Sequence, residues 1–324
     1  MKVTILGAGA YALALSSNIK KEYNVVLWTK FEEEKELLMK KKGNDNVLPG
    51  YKISSNVSIT TNMEEAVNGS DLIIIAVPAP VVHDITLELK KYFKSNQHIC
   101  IASKGIEEKT YLFVYDIFTK VIKTRNVSVI SGPSFAIDMC NNHPTGLTLA
   151  TRSTKTEFVV RNVFNSDNLK LRVTRDVIGV EICGSIKNVI AIGAGILEGM
   201  GYSESTRAMY VTESLHDIKG LIKALGGNPK TILSYAGFGD LMLTATSTKS
   251  RNYKFGVMIG KRTHKNIIDE YKNSTTVEGI NTLNSIYKLL KKKKVDMKII
   301  DLLYDIVYKD VDIDNLVKFL INKA

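Results

Sequence analysis

From residue 7 to residue 12 the chain reads Gly-Ala-Gly-Ala-Tyr-Ala, and this turn restricts the fold more than any other feature of the sequence. It follows a short apolar run, Lys2–Leu6, and opens a helical stretch that extends through about Glu22. GxGxxA between a strand and a helix is the dinucleotide-binding fingerprint with alanine in its third glycine place. Gly7 permits the tight turn. Gly9 leaves the backbone open to a pyrophosphate. Ala12 is small enough for the helix to pack on the strand. Free N–H groups and the positive end of the helix dipole then face the phosphates, with Ala10 and Tyr11 on the first helical turn.

The following segments repeat the strand–helix rhythm. Asn24–Trp28 (NVVLW) is apolar and β-branched. Asp71–Val77 (DLIIIAV) is a continuous apolar run closed by Pro78, the pattern of a strand covered by helices on both faces. Gln97–Ala102 and Asn126–Ile130 repeat it, and Gly146–Ala150 and Leu169–Val173 are weaker runs of the same kind. Alternation of this sort predicts an α/β domain over residues 1–178: a Rossmann-type, doubly wound parallel sheet with right-handed crossovers. Beyond about Val177 the texture changes. Val180–Leu197, Thr206–Leu225, the stretch from Asp240, Thr275–Leu290 and Met297–Val307 carry apolar residues at three- and four-residue spacing. Residues 179–324 therefore read as a second, mostly α-helical domain.

Composition excludes several classes. The 324 residues suffice for two domains, and 44% hydrophobic with 24% charged residues is ordinary globular usage. No run approaches the ~18 consecutive apolar residues of a membrane span. Met1–Leu6 is too short, and too soon interrupted by glycine, for a signal peptide, so the expected location is the cytoplasm. Cys100, Cys140 and Cys183 are an odd, widely spaced set that reads as small buried thiols. The histidines (His83, His98, His143, His216, His264) show no ligand spacing, and no metal site is expected. The net charge of +11 permits anionic partners, but much of it lies in Lys40–Lys42 and Lys291–Lys294, which read as solvated helix ends. Neither a nucleic-acid partner nor membrane insertion is expected.

An NAD-specific turn places Asp or Glu at the end of the second strand to grip the ribose 2′-hydroxyl. Here Trp28-Thr29-Lys30 follows instead, and the first acid is Glu32. Lys30 could accept a 2′-phosphate, so NAD and NADP both stay open.

Further segments stand out. Ala102-Ser103-Lys104-Gly105 and Ser131-Gly132-Pro133-Ser134-Phe135-Ala136 each follow a buried strand. Cys183-Gly184-Ser185-Ile186-Lys187-Asn188-Val189-Ile190-Ala191-Ile192 lies in the first helix of the second half. Gly239-Asp240-Leu241, Ser250-Arg251-Asn252-Tyr253-Lys254-Phe255-Gly256 and Thr276-Val277-Glu278-Gly279 complete the set. Together they resemble the NAD(P)-dependent glycerol-3-phosphate dehydrogenases, from the first strand to about Gly279. The last forty or so residues carry no motif of that kind.

The resemblance implies an oxidoreductase that interconverts dihydroxyacetone phosphate and sn-glycerol 3-phosphate, supplying the latter for phospholipid synthesis. It makes the helical domain the substrate-binding and catalytic one. Ketone reduction by hydride places negative charge on the carbonyl oxygen, which a cation or proton donor must answer. By resemblance Lys187 is that acid/base, and a desolvated lysine can release its proton near working pH. Asp240 orients it, and Lys104 stands near both nicotinamide and substrate. Ser250, Arg251 and Asn252 grip the substrate phosphate, an arginine fork suiting that geometry. Gly132, Ser134 and Asn188 add substrate contacts. Ala136, Arg251, Thr276 and Glu278 lie on the cofactor side with Gly7, Gly9, Ala10, Tyr11, Lys30 and Lys104. Dimers are frequent in such families, so a homodimer is compatible with the resemblance, although no interface can be read.

Four positions depart from the family pattern. Ala12-Leu13 replaces Gly-Thr in the turn, Cys183 stands where glycine is usual, and Ala245 where cysteine or a similar residue is. Two other readings fit the fold alone: a dehydrogenase of the same architecture acting on a hydroxy or keto acid, and a non-catalytic dinucleotide sensor. The phosphate-gripping trio and the Lys187/Asp240 pair argue against them.

Overall fold

The computed structural model describes residues 1–164 and 167–323. It divides into two compact units. One comprises Met1–Lys104 and Leu112–Val177, the other Gly105–Tyr111 with the chain from Ile178 onward. A single cut at 178/179 leaves Gly105–Tyr111 with the first domain. By its contacts that segment belongs to the second unit, leaving the first just after Lys104, at Gly105 with its φ of +135°.

The first unit is built on eight strands: β1 (Lys2–Leu6), β2 (Asn24–Trp28), β3 (Val57–Thr60), β4 (Leu72–Ile75), β5 (His98–Ile101), β6 (Val127–Ser131), β7 (Thr145–Thr151) and β8 (Leu169–Thr174). Their order across the sheet is β3-β2-β1-β4-β5-β6-β7-β8. Its helices are α1 (Ala10–Ser17), α2 (Glu32–Lys41), α3 (Met63–Val67), α4 (Val82–Lys90), α5 (Val114–Val121), α6 (Ala136–Cys140) and α7 (Thr154–Val163). The chain leaves β1 toward β2 on one side and later returns to β4 on the other. The carboxyl ends of β1 and β4 thus flank a topological switch point, where open α/β sheets bind ligands. All four residues of β4 are buried, as a strand covered on both faces requires.

Two features differ from the sequence reading. β3 lies among residues that reading left unassigned. It is a four-residue edge strand in which only Thr60 is buried, so no apolar run marks it. The sheet is also not wholly parallel, because β7 runs antiparallel to β6. Only the five-residue α6 lies between them, a rise of about 7.5 Å at 1.5 Å per residue. It is too short to carry the chain back along β6, so β7 starts from the end where β6 stopped.

The second unit is helical: α8 (Val177–Gly199), α9 (Glu204–Ala224), α10 (Asp240–Thr246), α11 (Arg251–Gly260), α12 (Lys265–Ser274), α13 (Glu278–Lys293), α14 (Lys298–Lys309) and α15 (Asp314–Asn322). By length and composition α8 could cross a membrane, although no unbroken apolar run announces it, because Glu181 and Lys187 interrupt the sequence. Most of its apolar window, 89%, is buried inside the protein, the position of a core helix.

α8 is rich in glycine because it meets α11 backbone to backbone. A Cβ on Gly195 would fall 2.9 Å from Val257 N, and one on Gly199 2.8 Å from the Cα of Gly260. Gly256 and Gly260 show the same closeness from the α11 side. At the start of α13, a Cβ on Gly279 would come within 2.8 Å of both Asn188 O and Asn252 Oδ1. These approaches draw the middle of α8 and the first turns of α11 and α13 to one place.

Candidate active site

In the first unit the turn after β1 is shaped for a ligand. Gly7 has φ +124°, and a Cβ there would sit 2.5 Å from Ala76 O at the end of β4. Only glycine fits both the conformation and the gap. Gly9 differs: its φ is −70°, and a Cβ would meet nothing within 4 Å. The space in front of it is open. Gly9 is also the N-cap of α1, it brings no capping side chain, and no acid lies in the first turn. Open space before a helix N-terminus suits a dinucleotide pyrophosphate. Ala12, in the third place, is fully buried.

Lys104 follows β5 at the same edge of the sheet. Ser103 fixes its approach, donating from Oγ to Val77 O at 2.5 Å and from its backbone N–H to Ile75 O at 3.0 Å. The Lys104 ammonium stands 5.8 Å from the centre of the Tyr11 ring. After β6, Ser134 is half-buried and donates to Gly132 O at 3.0 Å. Gly132 has a packing reason to be glycine: a Cβ would fall 2.6 Å from Gly146 O of β7. Ala136 opens α6 and Ala10 opens α1, both half-buried, and Lys30 is exposed beyond β2. Beside it, the Thr29 hydroxyl donates to the Glu34 carboxylate.

In the second unit a lysine ammonium is buried against a carboxylate. Lys187 Nζ, on α8, donates to Asp240 Oδ1 at 2.5 Å. The lysine side chain is 11% exposed and the aspartate 1%. Lys187 also donates to Thr244 Oγ1 at 3.2 Å, and that hydroxyl donates to the Asp240 backbone oxygen at 2.6 Å. Thr244 is absent from the sequence reading. Its position one turn after Asp240 on α10 was the signal available. Asp240 itself emerges from a π-helical turn, Tyr235–Gly239, the kind of irregularity that re-aims a helix at functional sites.

Next to Lys187, Asn188 donates to Glu278 Oε2 at 3.0 Å. Glu278 Oε1 lies 3.9 Å from Arg251 Nη2, a loose and half-exposed ion pair. Asn252 accepts from Gly279 N at 2.8 Å through Oδ1, which turns its amide N–H groups elsewhere. Ser250 caps α11, its Oγ accepting from Tyr253 N at 3.2 Å, and this leaves the hydroxyl proton to donate. Tyr271 donates to Arg251 O at 3.1 Å and so pins the arginine backbone. Burial pushes the Tyr271 phenol up from its ordinary value, opposed by the Arg251 charge. Thr276 is exposed just ahead of α13.

Cys100 and Cys140 lie in the first unit, and Cys183 stands one helical turn before Lys187 on α8. Burial pushes the Cys100 thiol up to about 12, so it stays protonated, and Cys140 is raised in the same direction by partial burial. Among the described residues, no three or more His, Cys, Asp or Glu side chains stand together as a metal site would need.

A glycine turn at the switch point of a doubly wound sheet binds dinucleotides. A shielded ammonium held by a carboxylate is chemically able to exchange a proton with a bound ligand. A chain with both is a Rossmann-type, dinucleotide-dependent oxidoreductase. The family models for the N-terminus and C-terminus of NAD-dependent glycerol-3-phosphate dehydrogenase match residues 2–157 and 176–318, and the chain belongs to that family. A glycerol-3-phosphate dehydrogenase [NAD(P)+] from Thermoanaerobacter sp. (strain X514) is 36% identical over 95% of this chain and 93% of its own. One from Bacillus pumilus is 33% identical over 100% and 94%. The crystal structure of glycerol-3-phosphate dehydrogenase from Coxiella burnetii superposes with a TM-score of 0.94 at 27% identity, covering 99% of both chains. The cofactor is accordingly NAD or NADP.

Proposed function

We propose that the chain interconverts dihydroxyacetone phosphate and sn-glycerol 3-phosphate, with Lys187 as the acid/base. The buried Lys187–Asp240 pair carries the reading. An ammonium this shielded, with its charge balanced by a carboxylate, is placed to move a proton rather than to solvate a surface. The open turn at Gly9 would hold the cofactor's pyrophosphate, with Ala10, Tyr11, Lys30, Lys104, Ala136, Arg251, Thr276 and Glu278 as further contacts. When bound, the reduced nicotinamide supplies the hydride that goes to C2 of the ketone. Lys187 gives its proton to the C2 oxygen and takes it back in the reverse direction. Asp240 and Thr244 aim the ammonium, and Lys104 adds a second positive charge for the developing oxyanion. Arg251, Asn252 and Ser250 present donors suited to the phosphate, and Asn188, Gly132 and Ser134 contact the rest of the substrate. Use of the product in phospholipid synthesis, a cytoplasmic location and a homodimeric state belong to the same proposal.

The deciding experiment follows NAD(P)H absorbance with purified protein and dihydroxyacetone phosphate, using each cofactor in turn and unphosphorylated dihydroxyacetone as control. Oxidation that needs the phosphate is the expected result. Folded protein that binds dinucleotide yet oxidises it with neither ketone would overturn the substrate assignment.

The open space at Gly9 gives a separate prediction for the cofactor. Gly9→Ala adds a methyl that meets no protein atom, so the melting temperature should stay within a few degrees of wild type. Dinucleotide affinity, read by fluorescence titration, should fall about tenfold or more, because the methyl occupies the pyrophosphate's place. Equal affinity in the two proteins would move the phosphates away from this turn.

A further inference from the structure

We infer that the Tyr11 hydroxyl is a positioning group that ties the substrate loop to the cofactor turn and sets the affinity for the three-carbon substrate. The inference rests on the function proposed above. Tyr11 lies on the first turn of α1, and its Oη is 3.1 Å from Ser134 Oγ in the loop after β6. A serine hydroxyl has one proton to give. That of Ser134 goes to Gly132 O at 3.0 Å, so Tyr11 is the donor in the pair. Both sides of the Ser134 oxygen are thereby fixed, and what remains to it is acceptor capacity. An oxygen held in this way recognises a ligand O–H, the group that dihydroxyacetone phosphate and glycerol 3-phosphate carry on C1.

The same tyrosine reaches the other substrate-side cation of this unit. Lys104 Nζ lies 5.8 Å from the centre of its ring, near enough for the π face to attract an ammonium. One side chain of the cofactor turn therefore touches both Ser134 and Lys104. Phenylalanine at this position keeps the ring and its pull on Lys104 and removes only the hydroxyl.

The test uses Tyr11→Phe, Ser134→Ala and the double variant in the intact protein. Measured for each are kcat and KM for dihydroxyacetone phosphate, the Kd of glycerol 3-phosphate by calorimetry with oxidised dinucleotide present, and the Kd of the dinucleotide alone. Tyr11→Phe should raise the KM and the glycerol 3-phosphate Kd about three- to tenfold, the span of one neutral hydrogen bond. Because Tyr11 is also a proposed cofactor contact, kcat and the dinucleotide Kd can shift as well, but each should change by a smaller factor than the KM and the glycerol 3-phosphate Kd. On the Ser134→Ala background the same change should add nothing, because its path to the substrate is gone. Three results overturn the inference: a silent Tyr11→Phe, an effect confined to dinucleotide Kd, or full additivity in the double variant. Wild-type protein that neither binds glycerol 3-phosphate nor turns over the ketone overturns the function and the inference together. Normal wild-type turnover with any of those three results overturns the inference alone.

Discussion

Replacing Lys187 with alanine should lower turnover of dihydroxyacetone phosphate by about two to four orders of magnitude, the usual worth of a positioned acid/base. Dinucleotide binding should survive, because the glycine turn belongs to the other unit. Loss of structure could imitate that result, since alanine leaves the Asp240 carboxylate, 1% exposed, without its cation. Breaking a buried pair from one side costs about 3 kcal/mol or more. The double variant Lys187→Ala/Asp240→Ala separates the two effects, because no unpaired charge remains. It should recover much of the melting temperature lost by the single variant and none of the activity. If the double variant regained activity along with stability, Lys187 would be a structural lysine and the proton would have to come from elsewhere.

That pair shows how far the sequence could be read. Lysine on an apolar helix commonly runs its stem along the surface to water, and spacing alone would have placed Lys187 there. Only the surrounding residues, by resemblance, pointed to chemistry. The reason it stays inside is tertiary: Asp240 and Thr244 arrive from α10 through a π-helical turn that no periodicity announces. The glycines of α8 tell a similar story. Read singly they weaken a helix. In the fold Gly195 and Gly199 lie against Gly256 and Gly260, and that closeness brings Arg251, Asn252 and Glu278 to Asn188. The central strands were legible because burial on both faces writes itself as a continuous apolar run, and β1 and β2 match their sequence limits residue for residue. β3 was not, because an edge strand of four residues needs no such run. The reversal of β7 hangs on the length of a five-residue helix, a quantity that is set by the fold around it.

Arg251→Ala should raise the KM for dihydroxyacetone phosphate about ten- to a hundredfold. Hydrogen bonds to a charged group are worth about 1.5–3 kcal/mol, and each 1.4 kcal/mol is a factor of ten. The fold should not feel the change. The arginine side chain is 53% exposed, and its pairing with Glu278 at 3.9 Å is of the half-exposed kind that contributes little. Turnover of unphosphorylated dihydroxyacetone, slow in both proteins, should be the same in each, because that ketone offers the guanidinium nothing to hold. Arg251→Lys should recover only part of the affinity, since an ammonium supplies charge without the planar fork. The discriminating comparison is with dinucleotide affinity. If the Kd of the dinucleotide weakens while the KM for the ketone does not, Arg251 serves the cofactor alone, and the phosphate grip passes to Asn252 and Ser250. Both keep protons to give: the Asn252 amide accepts from Gly279 through its oxygen, and the Ser250 hydroxyl accepts from Tyr253 N.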